Sequence, residues 1–244
     1  MPPKSIGEQN YEIFADRYAT RATTKPHNAY YDRPAVFSLL PEVAGLRVLD
    51  VGCGPGEYTT RLVEQGAHVT AFDVTPRMVA ITKARIGDRA DVLRANLENA
   101  LPFASATFDL VLCPLVLDNI EDWGAVFKEF HRVLKPGGTL VFSSGHPQGD
   151  YEWLHYRVKR EINYFEVEYH EIEWGGFGDP KPLIRFYRRP LAEQINPLLA
   201  AGLTLDHVLE PRPTEEFKKA DPERYERLMH APGFICMRAT KGTA

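Results

Sequence analysis

The sequence predicts an α/β fold built on a doubly wound, mostly parallel sheet of seven strands. Three observations carry that prediction. First, an apolar run of Val48, Leu49 and Val51, broken only by Asp50, leads into glycines at 52, 54 and 56 and then a polar, helix-compatible segment. That order describes a strand, a tight turn and a helix N-terminus. Second, from there to residue 144 short apolar runs alternate with helical periodicity, the rhythm of parallel strands joined by crossover helices. Third, two more strand-like runs, 203–210 and 233–239, lie either side of a polar, proline-punctuated stretch and supply a terminal pair.

Taken in order, residues 5–24 form the first helical segment, with Tyr11, Phe14, Ala15 and Tyr18 spaced along one face. Lys25-Pro26-His27 ends it, and a second short helix is expected over 29–40. The strand and glycine loop at 47–56 follow, then a helix over 58–65 closed by Gly66. His68–Phe72 is the second strand and ends at Asp73; Pro76 fits the first turn of a helix running to Ile86. A third strand is expected over 91–95. Phe108–Cys113, apolar after Asp109, suits a central parallel strand that Pro114 ends. Trp123, Val126, Phe127, Phe130, Val133 and Leu134 make one helical stripe, closed by Lys135-Pro136-Gly137-Gly138 before a fifth strand, Thr139–Ser144. Residues 145–190 break the rhythm. They are rich in aromatics from Tyr151 to Tyr187, and only 164–174 looks strand-like. A loop this long is more often functional or structured than idle. Leu191, Ile195, Leu198 and Leu199 share a helix face that contains Pro197, so a kink or a late start is expected there. A short helix is expected over 222–229.

The chain has 244 residues, enough for one large α/β domain, and no stretch reads as a linker. A net charge of -4 argues against a general nucleic-acid binder, which carries a basic face. Cysteines at 53, 113 and 236 are odd in number and far apart, which implies free thiols, a reducing compartment and no metal site. No apolar run reaches membrane length, and the N-terminal M-P-P-K-S-I-G-E has no secretory h-region, so a cytoplasmic location is expected.

The glycine loop is the first candidate site. Glycine lets a ligand approach the main chain, and N–H groups at the start of the next helix face that ligand. Asp50, a carboxylate at the end of a buried strand, needs a partner from the ligand or from the loop's own amides. The spacing is Gly-x-Gly-x-Gly, not the Gly-x-Gly-x-x-Gly of dinucleotide binders. Asp73, about 20 residues on, stands where an acid binds both hydroxyls of a ribose.

D-V-G-C-G-P-G, the downstream F-D-V and L-K-P-G-G-T-L-V-F resemble the class I S-adenosylmethionine-dependent methyltransferases. Within them the chain looks like the small-molecule group that includes ubiquinone-biosynthesis enzymes. The resemblance is strong over 45–144 and weak over 190–240. It implies a Rossmann-like methyltransferase sheet with an antiparallel last strand, N-terminal helices, and an insertion after strand 5. The implied organisation is a single domain: helical cap 1–44, cofactor core 45–144, substrate-side insertion 145–190, and C-terminal strand pair with helices 191–244. The implied cofactor is S-adenosylmethionine, held by Asp50, Gly52, Cys53, Gly54, Gly56, Asp73, Val74, Met78, Asn96, Leu97 and Pro114. Tyr18 and Tyr30 either cap it or only pack on the sheet. Asn96 stands where similar enzymes often have Asp beside the adenine; an amide still offers a donor and an acceptor.

Cys113-Pro114-Leu115-Val116 lacks the Asn- or Asp-Pro-Pro-Tyr element of relatives that methylate planar amines in adenine or glutamine. A small-molecule acceptor is therefore expected, with no nucleic acid, no membrane and no metal; the oligomeric state stays open. A general base is needed for a hydroxyl acceptor of high pKa, and not for every thiol, amine or carbon. His146, leaving the fifth strand between Gly145 and Pro147, is one candidate base, its ordinary pKa of about 6.5 suiting it to proton transfer. Asp118 is its rival or its orienting partner. The alternative for His146 is a loop-closing hydrogen bond. For Asp118, Asn119, Glu121 and Asp122 the choice is a hard-cation site or a polar loop capping the next helix. Two other functions stay in view: a catalytically silent cofactor-binding regulator, and a nicotinamide-dependent oxidoreductase, against which the glycine spacing speaks.

Overall fold

The computed structural model describes residues 4–175 and 177–243. Met1–Pro3, at the head of the stretch read for a secretory signal, lie outside them, as do Gly176 in the aromatic segment and Ala244.

The N-terminal segment is two helices, α1 (Ile6–Tyr11) and α2 (Ala15–Ala22), joined by a 3-10 turn at Glu12–Phe14, where one continuous helix was expected. Ser5 Oγ accepts from Glu8 N and starts α1. A π-helical turn, Asn28–Asp32, runs into α3 (Arg33–Leu39). The alternating core follows: β1 (Arg47–Val51), α4 (Glu57–Glu64), β2 (His68–Asp73), α5 (Pro76–Ile86) and β3 (Asp91–Arg94). Next come β4 (Phe108–Pro114), α6 (Trp123–Val133) and β5 (Leu134–Gly145). The aromatic segment folds into α7 (Pro147–His155) and a separate antiparallel hairpin of β6 (Glu168–Glu173) and β7 (Leu183–Arg188). The chain ends with α8 (Leu191–Ala200), β8 (Leu203–Leu209), α9 (Glu215–Ala220), α10 (Pro222–His230) and β9 (Phe234–Lys241).

The main sheet has seven strands in the order β3-β2-β1-β4-β5-β9-β8. The first five strands run parallel, and β9 is antiparallel to both β5 and β8. Successive residues of a strand point to opposite faces, and the core divides accordingly. Leu49, Val51, Val111, Cys113 and Phe142 pack against the α6 stripe. Val48, Leu110, Leu112 and Val141 pack with Val36 and Leu39 of α3, Leu62 of α4 and Val79 of α5. Because both faces are covered, the central strands read as near-continuous apolar runs. The order turns back between β1 and β4, and a crevice opens at their carboxyl ends, the place where doubly wound sheets bind ligands.

Three expectations are corrected. The 145–190 segment holds a helix and two strands where one strand was read. β7 lacks an alternating signature because nearly all its residues are half-buried. Pro197 does not delay α8: the helix starts at Leu191 and runs through Pro197 to Ala200. α9 was also missed within the polar stretch. No helix among the described residues is long and apolar enough to cross a membrane. All three cysteines are free and buried, and no group of three His, Cys, Asp or Glu among the described residues is arranged to hold a metal ion.

Candidate functional site

The glycine loop leaves β1 with Gly52, Gly54 and Gly56 all at positive φ, 64°, 52° and 84°. At Gly52 a Cβ would lie 2.4 Å from a Val116 methyl carbon, so the loop packs directly on the turn after β4. Gly52→Ala therefore combines left-handed strain with a collision. It is expected to destabilise the fold by about 1–3 kcal/mol in urea unfolding. Gly56 is the N-terminal cap of α4, and a Cβ there would press on Thr82 at 3.0 Å.

A cavity with about 990 Å³ of empty space, counted to its open mouth, lies over this loop. Ten of the predicted residues line it. The loop contributes Gly52, Cys53 and Gly54; the end of β2 and the start of α5 contribute Asp73, Val74 and Met78. Asn96 and Leu97 follow β3, Pro114 ends β4, and Tyr18 comes from α2. Three predicted cofactor residues lie elsewhere. Asp50 is fully buried behind the loop, its Oδ2 accepting from the Thr59 hydroxyl at 2.5 Å. Burial pushes its pKa up to about 7, although the Thr59 bond opposes the shift. The first turn of α4 thus holds one oxygen of Asp50, while its Oδ1 has no partner among the described residues. Gly56 serves that helix. Tyr30 packs with Tyr31, Phe217, Tyr225 and Leu228 in a satellite core.

Asp73 is the most constrained polar group in the cavity wall. Its Oδ2 accepts from Gly54 N at 3.0 Å and its Oδ1 from Thr75 N at 2.8 Å. Burial raises its pKa, and the two amides hold the shift back. Each oxygen keeps a second acceptor site. Asn96 Oδ1 accepts from Glu98 N at 3.0 Å.

Sequence reasoning missed the roof. Tyr11, Asn28, Asp32, Arg33 and Tyr58 all line the cavity. Asp32 is 2% exposed; its Oδ2 accepts from the Tyr58 hydroxyl at 2.6 Å, and its Oδ1 has no partner among the described residues. Burial pushes Asp32 up to about 6. Arg33, 4% exposed, donates to Ala22 O at 3.3 Å and lies 3.9 Å from Glu57. A buried guanidinium with so loose an ion pair suits an anionic ligand group. Tyr18 is pushed up to about 12 by burial and then by Asp32, with Asp73 adding, so its hydroxyl feels both acids. The one sequence signal for the roof was the spacing that puts Tyr11 on the same helix face as Tyr18.

His146 does not face the cavity. It caps α7: Nδ1 accepts from Gly149 N at 3.3 Å, and Nε2 meets Glu210 Oε1 at 2.9 Å. Glu210 follows β8, two strands beyond β5 along the same carboxyl edge of the sheet, and neither His146 nor Glu210 is a lining residue of the cavity. With both ring nitrogens engaged there, its assignment as a base is withdrawn. Asp118 sits in the 3-10 turn Leu117–Asn119 after β4. It lies between Leu117 and Asn119, close to the cavity residues Leu115, held at a φ of 54°, Val116 and Asn119, but is not itself one of the lining residues. Asp118 Oδ2 accepts from Gly145 N at 3.0 Å, and burial pushes its pKa up to about 6. The neighbouring polar residues disperse. Asn119 accepts from Asn10 at 2.9 Å, Asp122 caps α6 through Ala125 N, and Glu121 accepts from the Tyr187 hydroxyl.

The parallel sheet, the glycine turn and the acid closing β2 define a class: Rossmann-like proteins that hold an adenosyl ligand at the switch point. A methyltransferase-domain family matches residues 49–142. The chain is 36% identical over 105 residues to ubiquinone biosynthesis O-methyltransferase of Xylella fastidiosa, covering 42% of this chain and 43% of that one. It is 38% identical over 121 residues to malonyl-[acyl-carrier protein] O-methyltransferase of Enterobacter lignolyticus, covering 48% and 47%. The chain thus matches less than half the length of these curated relatives. A crystal structure of an S-adenosylmethionine-dependent methyltransferase from Mesorhizobium loti is similar over 90% of this chain and 100% of that one, at 27% identity and a TM-score of 0.69. Residues 49–142 thus carry a methyltransferase domain, on the sheet of the class I S-adenosylmethionine-dependent methyltransferases.

Proposed function

We propose that the chain transfers a methyl group from S-adenosylmethionine to a small-molecule acceptor. The observation that carries this reading is Asp73, fixed by two backbone amides in the wall of a cavity that also holds the buried Arg33. The residues present fit the cofactor. The free acceptor sites of Asp73 suit the two ribose hydroxyls, Arg33 suits the amino-acid carboxylate, and Asn96 beside Leu97 suits the adenine. S-adenosylmethionine, when bound, supplies a sulfonium methyl group open to displacement by a nucleophile. The chain's own task is to align the acceptor with that group and to exclude water. Where the acceptor is a hydroxyl, Asp118 takes its proton on a carboxylate oxygen.

In this reading residues 1–44 are the cap over the cofactor and 145–190 form the acceptor side of a single domain. The two relatives named for quinone and malonyl-carrier methylation support a small acceptor, and the net charge of -4 speaks against nucleic acid. A cytoplasmic location belongs to the same reading. Calorimetry is the direct test. Binding of S-adenosylmethionine and S-adenosylhomocysteine is expected, with none of NAD; tight NAD binding alone would overturn the proposal. A turnover screen over small hydroxyl, thiol, amine and carbon acceptors then identifies the substrate.

A further inference from the structure

Tyr18 lines the cavity, yet much of its support comes from the inserted segment more than 150 residues away. Its ring stacks on Phe177, with centroids 5.6 Å apart and planes at 14°. Phe14, from the turn before α2, meets the same Phe177 edge-on at 5.4 Å. Trp174 packs on Phe177 at 4.9 Å. Lys25, just past α2, places its Nζ 3.8 Å from the Trp174 ring centroid and 4.5 Å from that of Phe177. Arg17 on α2 donates to the carbonyls of Phe177, Asp179 and Pro180 at 3.3, 3.3 and 3.4 Å. Phe177 is 1% exposed, so this contact is a packed joint.

The charges explain why Lys25 sits there. No carboxylate pairs with it among the described residues, and Arg224 of α10 is the charge acting on it. The two ring faces are its favourable partners. Burial, with Arg224 adding, pushes Lys25 down to about 7. Below that pH it is an ammonium held between aromatic faces.

We propose that Lys25, Trp174 and Phe177 are positioning residues for the cofactor: they clasp the insertion to α2 and hold Tyr18 at the cavity wall. The proposal rests on the cofactor reading above. A wall residue fixed before the ligand arrives costs nothing to order on binding, and that saving appears as affinity. Without Phe177 the Tyr18 ring loses its stacking partner, and each binding event has to restore its position.

The test is calorimetric binding of S-adenosylmethionine at pH 6, where Lys25 is charged. Phe177→Ala is expected to weaken binding about tenfold. Lys25→Met, of similar length but uncharged, is expected to weaken it about three- to tenfold, while Lys25→Arg keeps wild-type affinity. Tyr156→Ala, at a residue of the same segment that is 87% exposed, leaves affinity unchanged. Unchanged affinity in a cooperatively melting Phe177→Ala overturns the clasp. Should that variant not fold, the two Lys25 variants decide, and equal affinity for Met, Arg and wild type overturns it. A wild-type chain that binds no S-adenosylmethionine refutes the cofactor reading instead, and the clasp with it.

Discussion

Asp73→Ala is expected to weaken S-adenosylmethionine binding by two orders of magnitude or more while the sheet stays folded. A hydrogen bond to a charged acceptor contributes about 1.5–3 kcal/mol, so losing two ribose hydroxyl contacts corresponds to roughly 10²- to 10⁴-fold in affinity. The structure adds a second loss. Asp73 also accepts from Gly54 N and Thr75 N, so the truncation frees the middle of the glycine loop and the start of α5. The melting temperature is therefore expected to fall as well. Asp73→Asn separates the two effects. It keeps the shape but turns an NH₂ toward one of those two amides, donor against donor, and is expected to bind more weakly than wild type with most of the stability loss retained. Calorimetry and a thermal melt on the same samples decide the matter. A lower melting temperature with unchanged cofactor affinity would mean that Asp73 only fastens the turn.

Asp73 was legible because its signal is local. A glycine loop, a strand and an acid at its end are fixed by chain geometry within about 25 residues, and tertiary packing has little freedom to move them. Alternation and apolar runs located the five parallel strands for the same reason. The cavity roof was not legible, because Asp32 and Arg33 sit on an ordinary helical stretch and face the site only through the docking of α3 on the sheet. Tyr30 and Asp50 show the converse. Each has a residue type and place that suit a ligand, but Tyr30 packs in the α9–α10 core, and the Thr59 hydroxyl holds one oxygen of Asp50, which does not line the cavity.

His146 was misread for a reason sequence cannot supply. It leaves the correct edge of the sheet, but the partner that turns it away, Glu210, arrives from β8, 64 residues later. The insertion was legible in composition and illegible in form. Its hairpin pairs only with itself: β6 alternates covered and exposed residues and falls within the stretch that read as a strand, whereas β7 is half-buried along nearly its whole length and shows neither the alternation of an edge nor the continuous run of a core.

Asp118→Asn is expected to lower turnover and raise stability together. As the base for a hydroxyl acceptor, Asp118 must be ionised. Its pKa is pushed up to about 6 by burial, so wild-type kcat is expected to fall as pH drops through about 6. The asparagine variant has no such limb and loses about 10²- to 10⁴-fold in kcat. Stability runs the other way. The folded carboxyl binds its proton more tightly than the unfolded one, so between the ordinary carboxylate range and about pH 6 the native state carries more protons. Stability then falls as pH rises through that window, and the full cost of the buried charge is present at pH 7. Asparagine removes that cost and still offers an oxygen to Gly145 N, the bond Asp118 makes at 3.0 Å. The stabilisation should be visible in urea unfolding at pH 7 and vanish below about pH 4. His146→Ala is the control. It removes the α7 cap, costing about 0.5–2 kcal/mol, and leaves turnover and its pH profile intact. If Asp118→Asn keeps full turnover and the same acid limb, Asp118 is not the base, and catalysis depends on alignment alone.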